Sequence, residues 1–274
     1  PPGVVEKTIF SSKLRLTFWV GLEGSGHHVV VSAFDEAFGG SDGKRVCAIG
    51  AQNYYLTTAM EGSPEHYVNA VGHATADMQK VARSESSAPS TGTVEALCDR
   101  WSYPNYGGPE KVMQYLDIGL MAELAEAEGV DLRIIYLKRS ALDIFLSTTV
   151  HRKIHRGAKP GENNRTDEES FMHYARILYT DAAVVHSYLA GLDPKFVVCH
   201  DMDYVGDVEQ ASEIADFVAP TPEKAEAFKS ALLASSPSKR STSKMLPMAE
   251  AGAVAQRLQR KLDVFESNYC HGRG

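Results

Sequence analysis

The chain predicts an α/β fold, a central parallel sheet with helices on both faces, and three observations carry that prediction. Short apolar runs alternate with stretches of helical length along the chain, and such alternation calls for a parallel sheet covered on both sides. The stretch "FWVGLEGSGHHVVVSAF", Phe18 to Phe34, leads from an apolar run through a glycine turn straight into a helix-like run. A second stretch, "DLRIIYLKRSALDIFLS", repeats the strand-to-helix step with Arg139 and Ser140 at the join. At 274 residues, 43% hydrophobic and 23% charged, the chain reads as one domain of generous size with ample core.

Leu14–Val20 reads as a buried strand. In Gly26–Phe38, Val29, Val30, Ala33, Phe34, Ala37 and Phe38 recur at helical spacing. Val46–Ile49 suggests a short strand, and Pro64–Val81 a helix opened by Ser63, Pro64 and Glu65. Ser84–Thr93 has loop composition, and Val94–Cys98 suggests a further strand. A helix is expected from Gly108-Pro109-Glu110 to about Glu128, ended by Gly129. Leu132–Leu137 is the clearest buried strand, and "ALDIFLSTTVHR" the helix after it. Beyond a polar loop come a long helix at Phe171–Leu189, a strand in "KFVVC", and helices at Val208–Val218, Pro222–Leu233 and Ala249–Phe265.

Composition excludes some functions. With 28 basic against 35 acidic residues the formal charge is −7, which argues against nucleic-acid binding through an extended basic surface. No apolar run approaches the ~18 residues that cross a bilayer. The chain opens Pro1-Pro2-Gly3 without an initiator methionine, which reads as a trimmed start and leaves cytoplasm and Golgi lumen both open. Cys47, Cys98, Cys199 and Cys270 show no C-x-x-C spacing. They are read as buried thiols, with two disulfides as the alternative.

Strand, glycine turn, helix is how a backbone builds an anion cradle. The turn here holds Gly24, Ser25, Gly26, His27 and His28. It lacks the lysine of a G-x-x-x-x-G-K-[ST] loop. Downstream, Arg139 stands at a strand's end and Ser140 where an N-cap belongs. Asp143 and Ser147, four residues apart, share one helix face. Arg139 and Ser147 can therefore converge on one phosphate-sized anion, the arginine as a charged fork and the serine as a hydroxyl donor.

The glycine turn and the R-x7-S pair, in this order, resemble the two cofactor loops of the sulfotransferases that use 3′-phosphoadenosine 5′-phosphosulfate (PAPS). "FVVCHDMDYVGDVEQASEIADFV" is similar to that family's later strand, acidic turn and helix, with Asp203 where an acid is usual. "SYP", Ser102–Pro104, is similar to its substrate-side turn. The resemblance covers residues 14–218. It implies a three-layer fold of the P-loop nucleotide-kinase type, and sulfuryl transfer to a hydroxyl or amine of a small-molecule or carbohydrate acceptor. It further implies Gly24–His28 on the 5′-phosphosulfate, Arg139 and Ser147 on the 3′-phosphate, and no metal.

The family's loop cation is absent at Gly24, and His27 and His28 stand where small hydroxyl residues are usual. In place of its C-terminal R-K-G loop the nearest basic segment is Ser235–Lys244, whose Lys239, Arg240 and Lys244 could cover the nucleotide. Asp99 is the first candidate for the base, ahead of Glu95, Asp42, His66 and His73; His27 and His28 are the fallback. Two other readings stay open: a nucleotide or small-molecule kinase, which would want the missing loop lysine, and a degenerate sulfotransferase that binds without turnover. The His151/His155 pair and the sequon Asn164-Arg165-Thr166 are read as a solvated face and a chance triplet.

Overall fold

The computed structural model describes residues 14–22, 24–39, 95–103, 105–107, 112–114, 118–127, 131–147, 168–235, 249–267 and 270. The expected strand at Val46–Ile49, the helix at Pro64–Val81 and the loop Ser84–Thr93 lie outside them. So do Asp42, His66, His73, the His151/His155 pair, the sequon at Asn164, and Lys239, Arg240 and Lys244.

A four-stranded parallel sheet forms the centre. Its strands are β1 (Leu14–Leu22), β2 (Glu95–Tyr103), β5 (Asp131–Lys138) and β6 (Val197–Asp201), in the order β2-β1-β5-β6. A separate antiparallel pair joins β3 (Asn105–Gly107) to β4 (Val112–Gln114). The described helices are α1 (His27–Phe38), α2 (Ile118–Ala127), α3 (Ala141–Leu146), α4 (Glu168–Ala190), α5 (Val208–Val218), α6 (Pro222–Ala234) and α7 (Ala249–Glu266). An α/β chain with a parallel sheet is thus the architecture.

Side chains alternate across the strands and divide the core in two. Leu16, Phe18, Val20 and Leu22 of β1 pack with Leu132, Ile134 and Tyr136 of β5 and with residues of α2, α4 and α7. Trp19 of β1 packs oppositely, with Cys98, Ile135, Leu137 and residues of α1, α5 and α6. In β5 four consecutive buried residues, Ile134 to Leu137, serve both clusters in turn. That is why this strand reads as a continuous apolar run rather than as an alternating one.

Three expectations are corrected. First, β2 does not stop at Cys98. It runs to Tyr103, because β1 extends to Leu22 and the two strands pair residue for residue over nine positions. Second, the helix expected from Gly108 begins only at Ile118, and the residues before it supply β4, with Tyr106 opposite Met113. Third, the described cysteines are not thiols, and Cys47 lies outside the described residues. Cys199 of β6 is bonded to Cys270, with Cα atoms 5.3 Å apart. Cys98 is disulfide-bonded as well, and no described cysteine is free. Spacing along the chain says nothing about which strand and helix end will meet.

Candidate functional site

The chain leaves β1 for β2 on one side of it and later returns to β5 on the other. Strand order therefore reverses at β1, and ligands of such sheets sit beyond the carboxyl ends of strands at this switch. The glycine turn leaves β1 there, and Arg139 leaves β5 beside it.

The turn is built by local chemistry. Ser25 donates both its N–H (2.9 Å) and its hydroxyl (2.6 Å) to the Leu22 carbonyl, which folds the chain back on the strand's end. In this arrangement Ser25 is fully buried and its hydroxyl closes the turn. Gly24 and Gly26 have φ of 95° and 103°, left-handed values that favour glycine. Gly26 caps α1, and Val29 N–H bonds its carbonyl at 2.9 Å. The helix start behind it presents N–H groups and a partial positive charge. His27 is buried and His28 exposed, so the two imidazoles occupy different environments.

Gly24 is where the two predicted loops meet. Arg139 donates from Nη1 to the Gly24 carbonyl at 2.8 Å. A Cβ placed on Gly24 would lie 3.1 Å from Ser147 Cβ, 3.2 Å from the Ile144 carbonyl oxygen and 3.3 Å from Ser147 Oγ. Gly24, Arg139 and Ser147, predicted from separate stretches, are brought together. The same contacts give a physical reason for the missing loop cation. A lysine at position 24 would need a left-handed backbone and would press against Ser147.

The Arg139 segment is held firmly. Ser140 caps α3 through its Oγ, which accepts from Asp143 N–H at 3.2 Å and donates to Asp143 Oδ2 at 3.0 Å. Its own N–H donates to Asp203 Oδ2 at 2.9 Å, and Ala141 N–H to Gln259 Oε1 at 2.7 Å. Arg139 Nε lies 4.0 Å from Asp143 Oδ2. Loss of water around Asp203 raises its carboxyl above the ordinary range. The Asp201 and Asp143 carboxylates add to the rise, while Ser140 N–H and the Arg139 guanidinium oppose it.

Asp99 lies mid-strand, opposite Phe18 and four residues before the end of β2, so the strand does not end beside it as expected. At ~3.3 Å per residue that is roughly 13 Å back from the edge that carries the glycine turn. Glu95 begins the same strand, farther back still. Ser102 and Tyr103 pair with Gly21 and Leu22, which places them beside the turn as strand rather than loop.

Gln259 escaped the sequence reading. Its only signal was its place in a polar stripe of α7 with Asp263 and Glu266, which looks like a solvated face. Among the described residues no cluster of His, Cys, Asp or Glu could hold a metal ion, and no helix is long and apolar enough to cross a membrane. No family model, curated protein or solved structure matches this chain.

Proposed function

We propose that this chain is a PAPS-dependent sulfotransferase with a P-loop-like, three-layer fold. One observation carries the reading. The R-x7-S pair and the glycine turn meet at Gly24, where Arg139 bonds the carbonyl and Ser147 closes on a left-handed backbone that a Cβ would crowd. A cradle that favours glycine, with an arginine beside it, suits a phosphorylated nucleotide.

Arg139 spends one of its five N–H donors on Gly24, and the others would hold the 3′-phosphate with the Ser147 hydroxyl. The start of α1 would hold the 5′-phosphosulfate. When bound, PAPS supplies the sulfuryl group that passes to the acceptor oxygen or nitrogen. We assign the acceptor's proton to His28, the exposed histidine at the start of α1. Asp99, mid-strand, becomes the second candidate. The Cys199–Cys270 disulfide supports an oxidising, lumenal or extracellular setting.

A binding-only protein is the second reading, favoured by the want of space for a cation at Gly24. Calorimetry tests the assignment with adenosine 3′,5′-bisphosphate, AMP and magnesium-ATP. The bisphosphate should bind far better than AMP, and Arg139→Ala should lose roughly ten- to a hundredfold of that affinity. Equal binding of bisphosphate and AMP by the wild-type protein would sink the reading, and preference for magnesium-ATP would point to a kinase. Bisphosphate binding with no sulfuryl transfer to any acceptor would leave the binding-only protein.

A further inference from the structure

Helix α7 runs along the segment that carries Arg139 and is tied to it repeatedly. Gln259 Oε1 accepts from Ala141 N–H at 2.7 Å. One turn on, Asp263 Oδ1 accepts from Gln259 Nε2 at 2.9 Å, which turns the amide so that its oxygen faces Ala141. Glu266 Oε1 accepts from the Tyr136 hydroxyl at 3.2 Å, and its Oε2 lies 3.7 Å from Lys138 Nζ. Cys270 closes the series through its disulfide to Cys199, which lies opposite Tyr136 in the sheet. Positions 259, 263 and 266 fall at steps of four and three, one stripe of α7, and Cys270 lies beyond the helix end with its N–H on the Glu266 carbonyl at 2.7 Å. That stripe meets Tyr136, Lys138 and Ala141, the residues that flank Arg139.

The first N–H groups of a helix lack partners within it. At α3 they are taken by side chains from distant elements: that of Ser140 by Asp203, that of Ala141 by Gln259. The start of α3 is thereby occupied by protein acceptors and offers these two donors to no ligand. Recognition at this end falls to the side chains of Arg139 and Ser147. Their aim depends on how the peptide from Lys138 to Ala141 is held.

We infer that Gln259 is a positioning residue of the phosphate site: by fixing Ala141 it sets the direction of Arg139 and the approach of Ser147 to Gly24. The inference rests on the sulfotransferase reading for the identity of the ligand, a 3′-phosphate. It assigns to the C-terminal helix a part in nucleotide selectivity, although that helix contributes no group to the phosphate itself.

The test compares the affinity for adenosine 3′,5′-bisphosphate with that for AMP, which lacks the 3′-phosphate assigned to Arg139. In Gln259→Leu the preference for the bisphosphate should fall about tenfold while AMP binding stays within twofold. In the exchanged pair Gln259→Glu with Asp263→Asn, an acceptor still faces Ala141 and a donor–acceptor contact is kept between the two positions. The preference should then return to within about twofold of wild type. Should Gln259→Leu fail to fold, Gln259→Asn, one methylene short of Ala141, carries the same expectation. An unchanged preference in the Leu and Asn variants overturns the inference and leaves the function reading standing. An equal loss in the exchanged pair overturns it too, because packing alone would then be at work. Wild-type protein without any preference overturns the function reading, and the inference with it.

Discussion

Two faces of one sheet, both buried, are held by different chemistry. On the face of α1, α5 and α6, Phe34 stacks on Phe38 at 4.2 Å between ring centroids, and Phe228 meets Phe34, Phe38 and Trp19 at 5.7 to 6.0 Å. Its buried polar atoms Thr17 Oγ1, Trp19 Nε1 and both His200 ring nitrogens have no hydrogen-bond partner among the described residues. On the face of α4 and α7 several polar groups are joined, although Glu266 Oε2 makes no hydrogen bond among the described residues. Tyr136 donates to Glu266, Glu266 faces Lys138, and His186 lies against the rings of Tyr136 and Phe265. The centre of the first face is sealed by dispersion and shape, while Lys224 Nζ donates to the Ala37 carbonyl at 3.0 Å between α6 and α1. The second face spends burial on ionisable groups, and it is the one that ties the C-terminal helix to the strand bearing Arg139.

The aromatic face should carry the larger single-residue energy. Phe228→Ala removes a fully buried ring from the centre of that cluster and should cost about 3–5 kcal/mol in denaturant unfolding. A loss below ~1 kcal/mol would mean that this face collapses around the cavity and is not a packed core.

On the other face the disulfide comes next. Cys199 and Cys270 stand 71 residues apart, so the bond removes much freedom from the unfolded chain. Cys270→Ser should cost about 2–4 kcal/mol. Bisphosphate affinity should weaken alongside if α7 steadies the Arg139 segment. Thermal unfolding and calorimetry on the same variant separate the two effects. A variant with a lower melting temperature and unaltered affinity would confine the disulfide to global stability.

A pH-dependent effect follows from the joined polar groups. Burial first of all lifts the Glu266 carboxyl from 4.5 to about 7, against the opposing pull of Lys138 and the Tyr136 hydrogen bond. The folded protein thus holds this proton more tightly than the unfolded chain does. The resulting stabilisation is present below pH 4.5 and is lost as pH rises through 7. Glu266→Gln has no such proton to lose, so it should gain on wild type between pH 5 and 8, by up to ~3 kcal/mol. His186 and His200, lowered by burial to about 3 and about 4, act with the opposite sign on the acid side of pH 6.5. Both are present in either protein, so the difference between the two stability curves reports Glu266. A flat difference would show that Glu266 keeps its charge at no cost.

The smallest expected effect returns to the aromatic face. Thr17 is fully buried, and its hydroxyl finds no partner among the described residues. Thr17→Val should be neutral or stabilising by about 1 kcal/mol, since it removes a desolvated polar atom and keeps the branched shape. A clear destabilisation would reveal a partner for that hydroxyl.

The sequence by itself determined the elements whose causes are local. β1 and β5 were legible as apolar runs, and α1 as a 3.6-residue periodicity that opens at Gly26. Gly24, Gly26, Arg139, Ser140 and Ser147 were singled out because a glycine turn, a capping serine and a fixed helical spacing are written in consecutive residues. Position across the sheet is not local. The family resemblance puts Asp99 near a strand end, whereas pairing with the nine residues of β1 carries that strand on to Tyr103. Only the tertiary structure decided that Cys199 meets Cys270, that Ser140 meets Asp203 across 63 residues, and that Ala141 meets Gln259 across 118. Such partners are chosen by how helices pack on a sheet. A glutamine in a polar helical stripe has the same local pattern whether it faces water or the first amide of another helix.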